Sequence, residues 1–214
     1  MPLEIEIKLR IADDSAVRRA LQARGARHVW RVLETDRILD TPERRLRAAG
    51  CALRVRTSRP APPQAGADVP SALLASTAEA TMLAFKGPRS PGDFKQREEI
   101  EVGVADAEAL LDILGRLGCA PVIVLEKLRE RWDLAGCQVL LDELPGLGRF
   151  VEIEGPDAGA IERVRSALWL DAAPLVRETY VEMAARHGSP DSAGCTRLVF
   201  APAPGGSAKA AEQE

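Results

Sequence analysis

Long charged side chains recur at every second position in several stretches of this 214-residue chain. Glu4, Glu6, Lys8 and Arg10 alternate with Leu3, Ile5, Ile7, Leu9 and Ile11. Arg54 and Arg56 share one parity, as do Arg97, Glu99 and Glu101, then Lys127, Arg129 and Arg131, then Glu152 and Glu154. Lys86 and Asp142 add single charges at strand-like positions. A spacing of two puts side chains on one face of a strand. For one strand, a solvated face is the ordinary explanation. As a set that explanation weakens, because a wet face would use Thr freely. These faces carry almost only Glu, Arg and Lys, segregated by sign. Like charges at i and i+2 gain nothing structurally; they make sense if they converge on a ligand containing both anions and cations. Arginine meets phosphate oxygens bidentately. Carboxylates tolerate a phosphate when hard cations such as Mg2+ or Mn2+ sit between them. The implied chemistry is metal-assisted cleavage at a phosphoryl centre. A linear triphosphate matches the number of basic residues better than a monophosphate.

The elements that must position these residues alternate between two periods. Strand patterns cover 3–11, 51–58, 81–86, 96–104, 122–134, 137–144 and 149–155. Helical patterns cover Asp13 to Gly25, Asp106 to Leu117 and Asp157 to Leu170, with a last helix near Glu178. Asp caps and Gly stops mark their ends. Strands outnumber helices and follow one another like hairpins, so the expected class is α+β, with a largely antiparallel, strongly curved or closed sheet and helices packed outside. A closed sheet would turn the charged faces into a lumen that must stay wet or hold a ligand. Residues 1–187 form one expected domain. The Pro-, Ala- and Ser-rich stretch Ser58 to Ala80 is a flexible hairpin insertion, and residues 188–214 have the composition of a disordered tail.

Composition narrows the classes. Lys plus Arg total 29 and Asp plus Glu 32, a net charge of -3, without the basic excess of a broad nucleic-acid binder. Aromatics are 4%, too few for base-stacking platforms. No apolar run approaches the roughly 18 residues of a membrane span, and the N-terminus lacks a signal-peptide core. Cys51, Cys119, Cys137 and Cys195 form no CxxC pair and are expected as reduced thiols of a cytoplasmic protein. Only His28 and His187 are present, both expected at the surface, which disfavours a His-rich metal site and a Ser-His-Asp triad. Gly146-x-Gly148 is a hairpin turn, since no helix or third glycine follows. P-loop, GxSxG and HExxH motifs are absent.

Six motifs, in order from Pro2 to Ala185, resemble the CYTH domain, the family of triphosphate tunnel metalloenzymes. They are ExExK at Glu4 to Lys8, LRVR at Leu53 to Arg56, Phe85-Lys86-Gly87, the REExE-like Arg97 to Glu101, Glu126-Lys127-Leu128-Arg129, and Asp142 followed by PGLGRFVEIE up to Glu154. Glu178-Thr179-Tyr180 resembles the closing Ser-Tyr motif, with Thr for Ser. The resemblance implies a closed antiparallel eight-stranded β-barrel, a triphosphate tunnel, with helices outside. It implies a metal side of Glu4, Glu6, Glu99, Glu101, Asp142, Glu152 and Glu154, with Glu4, Glu6 and Glu152 foremost. It implies a phosphate side of Lys8, Arg54, Arg56, Lys86, Arg97, Lys127 and Arg129. Lys8, Lys127 and Tyr180 are the catalytic candidates, Tyr180 orienting a nucleophile or simply packing. Arg10 and Arg131 lie at strand ends, in the site or solvated. The stretch from Glu126 through the PGLGRFVEIEG run looks most like the class IV adenylyl cyclase branch, which forms cyclic AMP and pyrophosphate from ATP. Hydrolysis of inorganic or thiamine triphosphate is the alternative, and a non-catalytic polyphosphate or nucleotide binder the third. The implied cofactor is Mg2+ or Mn2+. The implied partner is a small-molecule triphosphate, with no nucleic acid and no membrane, and with a homodimer left open.

Overall fold

A computed structural model describes residues 5–61, 79–88 and 98–201. The strands are β1 (Ile5–Ile11), β2 (Arg27–Asp40), β3 (Ala52–Pro60), β4 (Ala80–Lys86), β5 (Glu99–Val104), β6 (Ala120–Leu134), β7 (Cys137–Leu144), β8 (Gly148–Gly155), β9 (Ser189–Pro190) and β10 (Thr196–Leu198). The helices are α1 (Ser15–Ala23), α2 (Arg45–Ala48), α3 (Ala107–Arg116), α4 (Ala158–Ala167) and α5 (Tyr180–His187). The α+β class and the antiparallel succession are as expected. The main sheet runs β1-β8-β7-β6-β2-β3-β4-β5, and β10 joins β6 in parallel outside that order.

The sheet is not the closed eight-stranded barrel that the resemblance implies. Among the described residues β1 and β5 stand at opposite ends of the order and do not pair with each other. The reason is visible at the outer edge of β1. Arg10 donates its backbone N–H to Pro174 at 2.9 Å, Val176 donates to the Lys8 carbonyl at 2.8 Å, and Leu9 bridges to Leu175. The edge that closure would require is already bonded by the 174–176 segment, which satisfies backbone groups that an open edge would leave bare.

Alternation sorts the two faces. On one face Leu9, Val139, Leu141, Val151 and Ile153 meet Val17 and Leu21 of α1 and Ile161 and Val164 of α4 in a buried core. Gly155 ends β8 against this core; an added Cβ there would lie 2.8 Å from Cys137 Sγ. The opposite face carries the charges. At one end of it Leu125, Leu144 and Phe150 form a second core with Tyr180, Met183 and Ala184 of α5 and Leu198 of β10. Helix α5 therefore lies on the charged face and delivers Tyr180 to it.

Two further features differ from the sequence reading. The long strand β2 pairs with β3 on one side and β6 on the other and was not among the expected strands. The expected tail from residue 188 instead starts with β9 and β10, whose Leu198 is buried. Residues 62–78 of the expected insertion lie outside the described residues, while Ser58 and Pro60 belong to β3 and Ala80 to β4.

Candidate functional site

Register brings the charged side chains together. Lys8 faces Glu152, Glu34 faces Lys127, Asp36 faces Arg56 and Arg129 faces Asp142 across neighbouring strands. The resulting ion pairs run along the sheet from β1 to β5. Lys8 Nζ is 3.3 Å from Glu152, which also meets Arg129. Arg129 grips Asp142 with two bonds, Nε to Oδ1 at 2.7 Å and Nη2 to Oδ2 at 2.6 Å. Lys127 Nζ lies 2.9 Å from Glu34 and 3.5 Å from Asp36. Arg56 forks onto Asp36 at 2.6 and 2.8 Å and reaches Glu34 at 3.3 Å. Arg54 bridges Asp36 at 4.0 Å and Glu101 at 3.4 Å, and Lys86 pairs with Glu99 at 2.5 Å.

Tyr180 closes one end of this chain of charges. Its hydroxyl donates to Asp142 Oδ2 at 2.7 Å, and Lys8 Nζ sits over its ring, 3.7 Å from the centroid. Lys8 also donates to the Glu178 carbonyl at 3.1 Å. Thr179 caps α5: its hydroxyl accepts from the Glu182 N–H, and Glu182 returns a bond to the Thr179 N–H at 2.7 Å. Burial pushes the Tyr180 hydroxyl well above the usual phenol range, and the Asp142 and Glu152 carboxylates add to this, so the hydroxyl keeps its proton and acts as a donor.

The carboxylates divide by environment. Burial raises Asp36, yet Lys127 and Arg56 outweigh it and hold the carboxyl well below the ordinary range. Glu34 is lowered in the same contest of burial against Lys127 and Arg56. Burial likewise opposes ionisation of Asp142, and Arg129 prevails. Glu152 goes the other way: burial, Asp142 and Glu6 together exceed the pull of Arg129 and Lys8 and push its carboxyl up. Glu6 faces Glu154 in register, an unfavourable like-charge pairing. Three carboxylates, Glu6, Glu152 and Glu154, thus gather where β1 meets β8.

That crowding bears on the implied metal. Among the described residues no group of three or more His, Cys, Asp or Glu side chains is arranged to hold a metal ion. Among these residues the metal side implied by the resemblance does not gather into one cluster, and Glu4, one of its three foremost members, lies outside them. Glu99 and Glu101 lie on β5 beside their own cations, while Glu6, Glu152 and Glu154 lie on β1 and β8 at the other end of the strand order. Asp142 has both oxygens engaged by Arg129 and Tyr180. Of the expected donors on β1 and β8, Glu152 also has both oxygens engaged, by Lys8 and Arg129, so it would hold Mg2+ or Mn2+ beside Glu6 only by exchanging one of those partners. Glu4 and Arg97 lie outside the described residues. Arg10 stacks its guanidinium on Phe150, and Arg131 pairs with Asp133, so both sit at the margins of the network.

Glu34 and Asp36 were missed by the sequence reading. Their signal was present: two acids at i and i+2 between Val32 and Ile38. It was obscured because Thr35 and Arg37 make the other face polar too. That face lines a cavity of about 730 Å³ with Thr57, Thr81 and Glu126, and no residue of the ion-pair network lines it. His28, expected at the surface, packs edge-on against Trp132 beside Glu130, and burial lowers its pKa.

Comparison with known proteins agrees with this architecture. A Methanocaldococcus jannaschii protein named as a candidate adenylate cyclase is 25% identical over 190 residues, 85% of this chain and 98% of that protein. Adenylate cyclase CyaB of Aeromonas hydrophila is 29% identical over 151 residues, 70% of this chain and 67% of that protein. A solved Pyrococcus horikoshii structure superimposes with a TM-score of 0.64 at 25% identity, covering 86% of this chain and 98% of that one. The CYTH domain matches residues 2–164, which include all six sequence motifs, from Glu4 to Glu154. By that match the chain belongs to the CYTH domain family.

Proposed function

We propose that the charged face binds a triphosphate together with a divalent cation and cleaves a P–O–P linkage. The observation that carries this reading is the continuous alternation of cations and carboxylates from Lys8 on β1 to Glu101 on β5. Such a face offers guanidinium forks to phosphate oxygens and carboxylates to a cation. When bound, Mg2+ or Mn2+ would polarise a phosphoryl oxygen and offset charge at the reacting phosphorus. Lys127, Arg56 and Arg129 orient the phosphate chain and stabilise its developing charge. Lys8 is held at the β1–β8 edge by Glu152 and Glu178, where it serves the reacting end.

The class IV adenylyl cyclase reaction is the favoured form, supported by the two cyclase-named relatives. The ribose 3′-oxygen of ATP would attack the α-phosphorus as its proton leaves, and the α–β bridging bond would break to release pyrophosphate. One observation favours hydrolysis of inorganic or thiamine triphosphate instead. The ring contacts among the described residues bring Tyr180 alone against the network lysines, and that ring is buried, leaving no platform for a base.

The deciding experiment supplies Mg2+ or Mn2+ with ATP, tripolyphosphate or thiamine triphosphate and assays cyclic AMP and free phosphate separately. Cyclic AMP with pyrophosphate is expected. Free phosphate from tripolyphosphate would transfer the assignment to the hydrolase, and no product from any substrate would end the enzyme reading. Glu6→Gln should reduce whichever turnover appears by at least ~10²-fold.

A further inference from the structure

Lys127 is the most enclosed cation of the charged face; its side chain is 3% exposed. Every element packed against it presents a charged or polar group. Arg129 follows it on β6, Arg56 approaches from β3, Glu34 and Asp36 approach from β2, and the Tyr180 ring of α5 lies 5.4 Å away. Two guanidiniums and burial all disfavour a charged ammonium here. The two β2 carboxylates, themselves 6% and 5% exposed, are what oppose them. They also fix Arg56, with Asp36 accepting both arms of its fork and Glu34 reaching its remaining arm.

We infer that Glu34 and Asp36 are positioning residues that keep Lys127 a cation and Arg56 a fixed fork at the point where a polyphosphate meets the sheet. This rests on the polyphosphate reading above and adds a role for two residues outside the family-like motifs. Neither carboxylate needs to touch the ligand, because each acts through the cation it holds. Lys127 is drawn toward deprotonation by burial, Arg129 and Arg56, and Glu34 and Asp36 pull the other way. Removing one negative charge therefore lowers the pH at which Lys127 loses its proton, and anion affinity declines from that lower pH upward. A residue that merely fills space would leave the pH profile in place.

The test measures tripolyphosphate affinity by calorimetry across neutral to alkaline pH, at fixed Mg2+, in three chains: the unsubstituted protein, Glu34→Gln, and Glu34→Gln combined with Lys127→Arg. Glu34→Gln should move the midpoint of affinity loss down by about one pH unit or more. Lys127→Arg should abolish that shift, since a guanidinium does not deprotonate in this range. An unmoved midpoint, or a shift that persists with Arg at 127, overturns the inference. Carbon-13 observation of the Lys127 ε-carbon in the ligand-free protein asks the same question without any polyphosphate. There too a lower midpoint in Glu34→Gln is expected, and an unchanged one overturns the role. If Glu34→Gln does not melt cooperatively, Asp36→Asn carries the same expectations. Failure of the unsubstituted chain to bind tripolyphosphate would instead defeat the polyphosphate reading, while the ε-carbon titration still judges the effect of the β2 carboxylates on Lys127.

Discussion

Arg129 holds Asp142, the most deeply buried carboxylate of the charged face, together with Glu152. Its Nη2 is shared by Asp142 and Glu152, and its own side chain is 12% exposed. Burial and its partners act in opposite senses on it, and the carboxylates hold the guanidinium pKa well above the ordinary value. Breaking such a group from one side leaves uncompensated charge in a poorly hydrated place. Arg129→Met should therefore cost about 3 kcal/mol in urea unfolding, at the low end of the range for a broken buried pair because Lys8 still reaches Glu152 and Tyr180 still donates to Asp142. A loss below about 1 kcal/mol would mean that the pair behaves as an exposed one. At this scale the sequence was informative where one parity was apolar. Lys8, Arg54, Arg56 and Glu152 sit on strands whose other parity is mostly aliphatic, and Lys127 and Arg129 flank Leu128, although Glu126 and Glu130 share its parity. Glu34 and Asp36 sit where neither parity is aliphatic, so a period-two pattern had nothing to contrast them with.

Helix α5 shows how a short element sets the position of one hydroxyl. It spans Tyr180–His187, and its first residue is the one that meets Asp142. A helix of eight residues is marginal alone and depends on its cap and its packing. The cap is Thr179 with Glu182, and the packing is Met183 and Ala184 against Leu125, Phe150 and Leu198. Thr179→Ala should cost about 1 kcal/mol, observed as a fall of about 2–4 °C in Tm. If Tm is unchanged, the capping box contributes nothing. The helix itself was legible from Glu178-Thr179-Tyr180, but its partner β10 was not. Residues 188–201 are rich in Ser, Pro, Gly and Ala, and β10 is three residues long with one buried side chain, too short to show any period. The edge cover at 174–176 escaped notice for the same reason. It is held by backbone hydrogen bonds, to which side-chain pattern is blind, and that is why a closed barrel was expected and an open sheet is found.

Charge balance over the whole face decides how a ligand can enter. Among the described residues eight cations (Lys8, Arg10, Arg54, Arg56, Lys86, Lys127, Arg129, Arg131) share the face with nine carboxylates (Glu6, Glu34, Asp36, Glu99, Glu101, Asp133, Asp142, Glu152, Glu154), leaving it one negative charge in excess. All of these cations except Arg10 already have a carboxylate partner. A phosphate oxygen that takes a guanidinium must displace or crowd a carboxylate, and the displaced charge then needs a cation of its own. A polyanion entering alone adds to an existing negative excess; entering with Mg2+, it does not. The two ligands should therefore bind with positive coupling, and thermodynamic reciprocity makes the factor the same in both directions. Tripolyphosphate should bind at least about 10-fold more tightly with saturating Mg2+ than with a chelator present, once complex formation in free solution is subtracted, within the usual 5–150-fold range of coupling. Calorimetric titration in both orders measures both limbs of the cycle. Equal affinity with and without the metal would show that the carboxylates serve only to anchor the cations, and that the negative excess has no counterion to recruit.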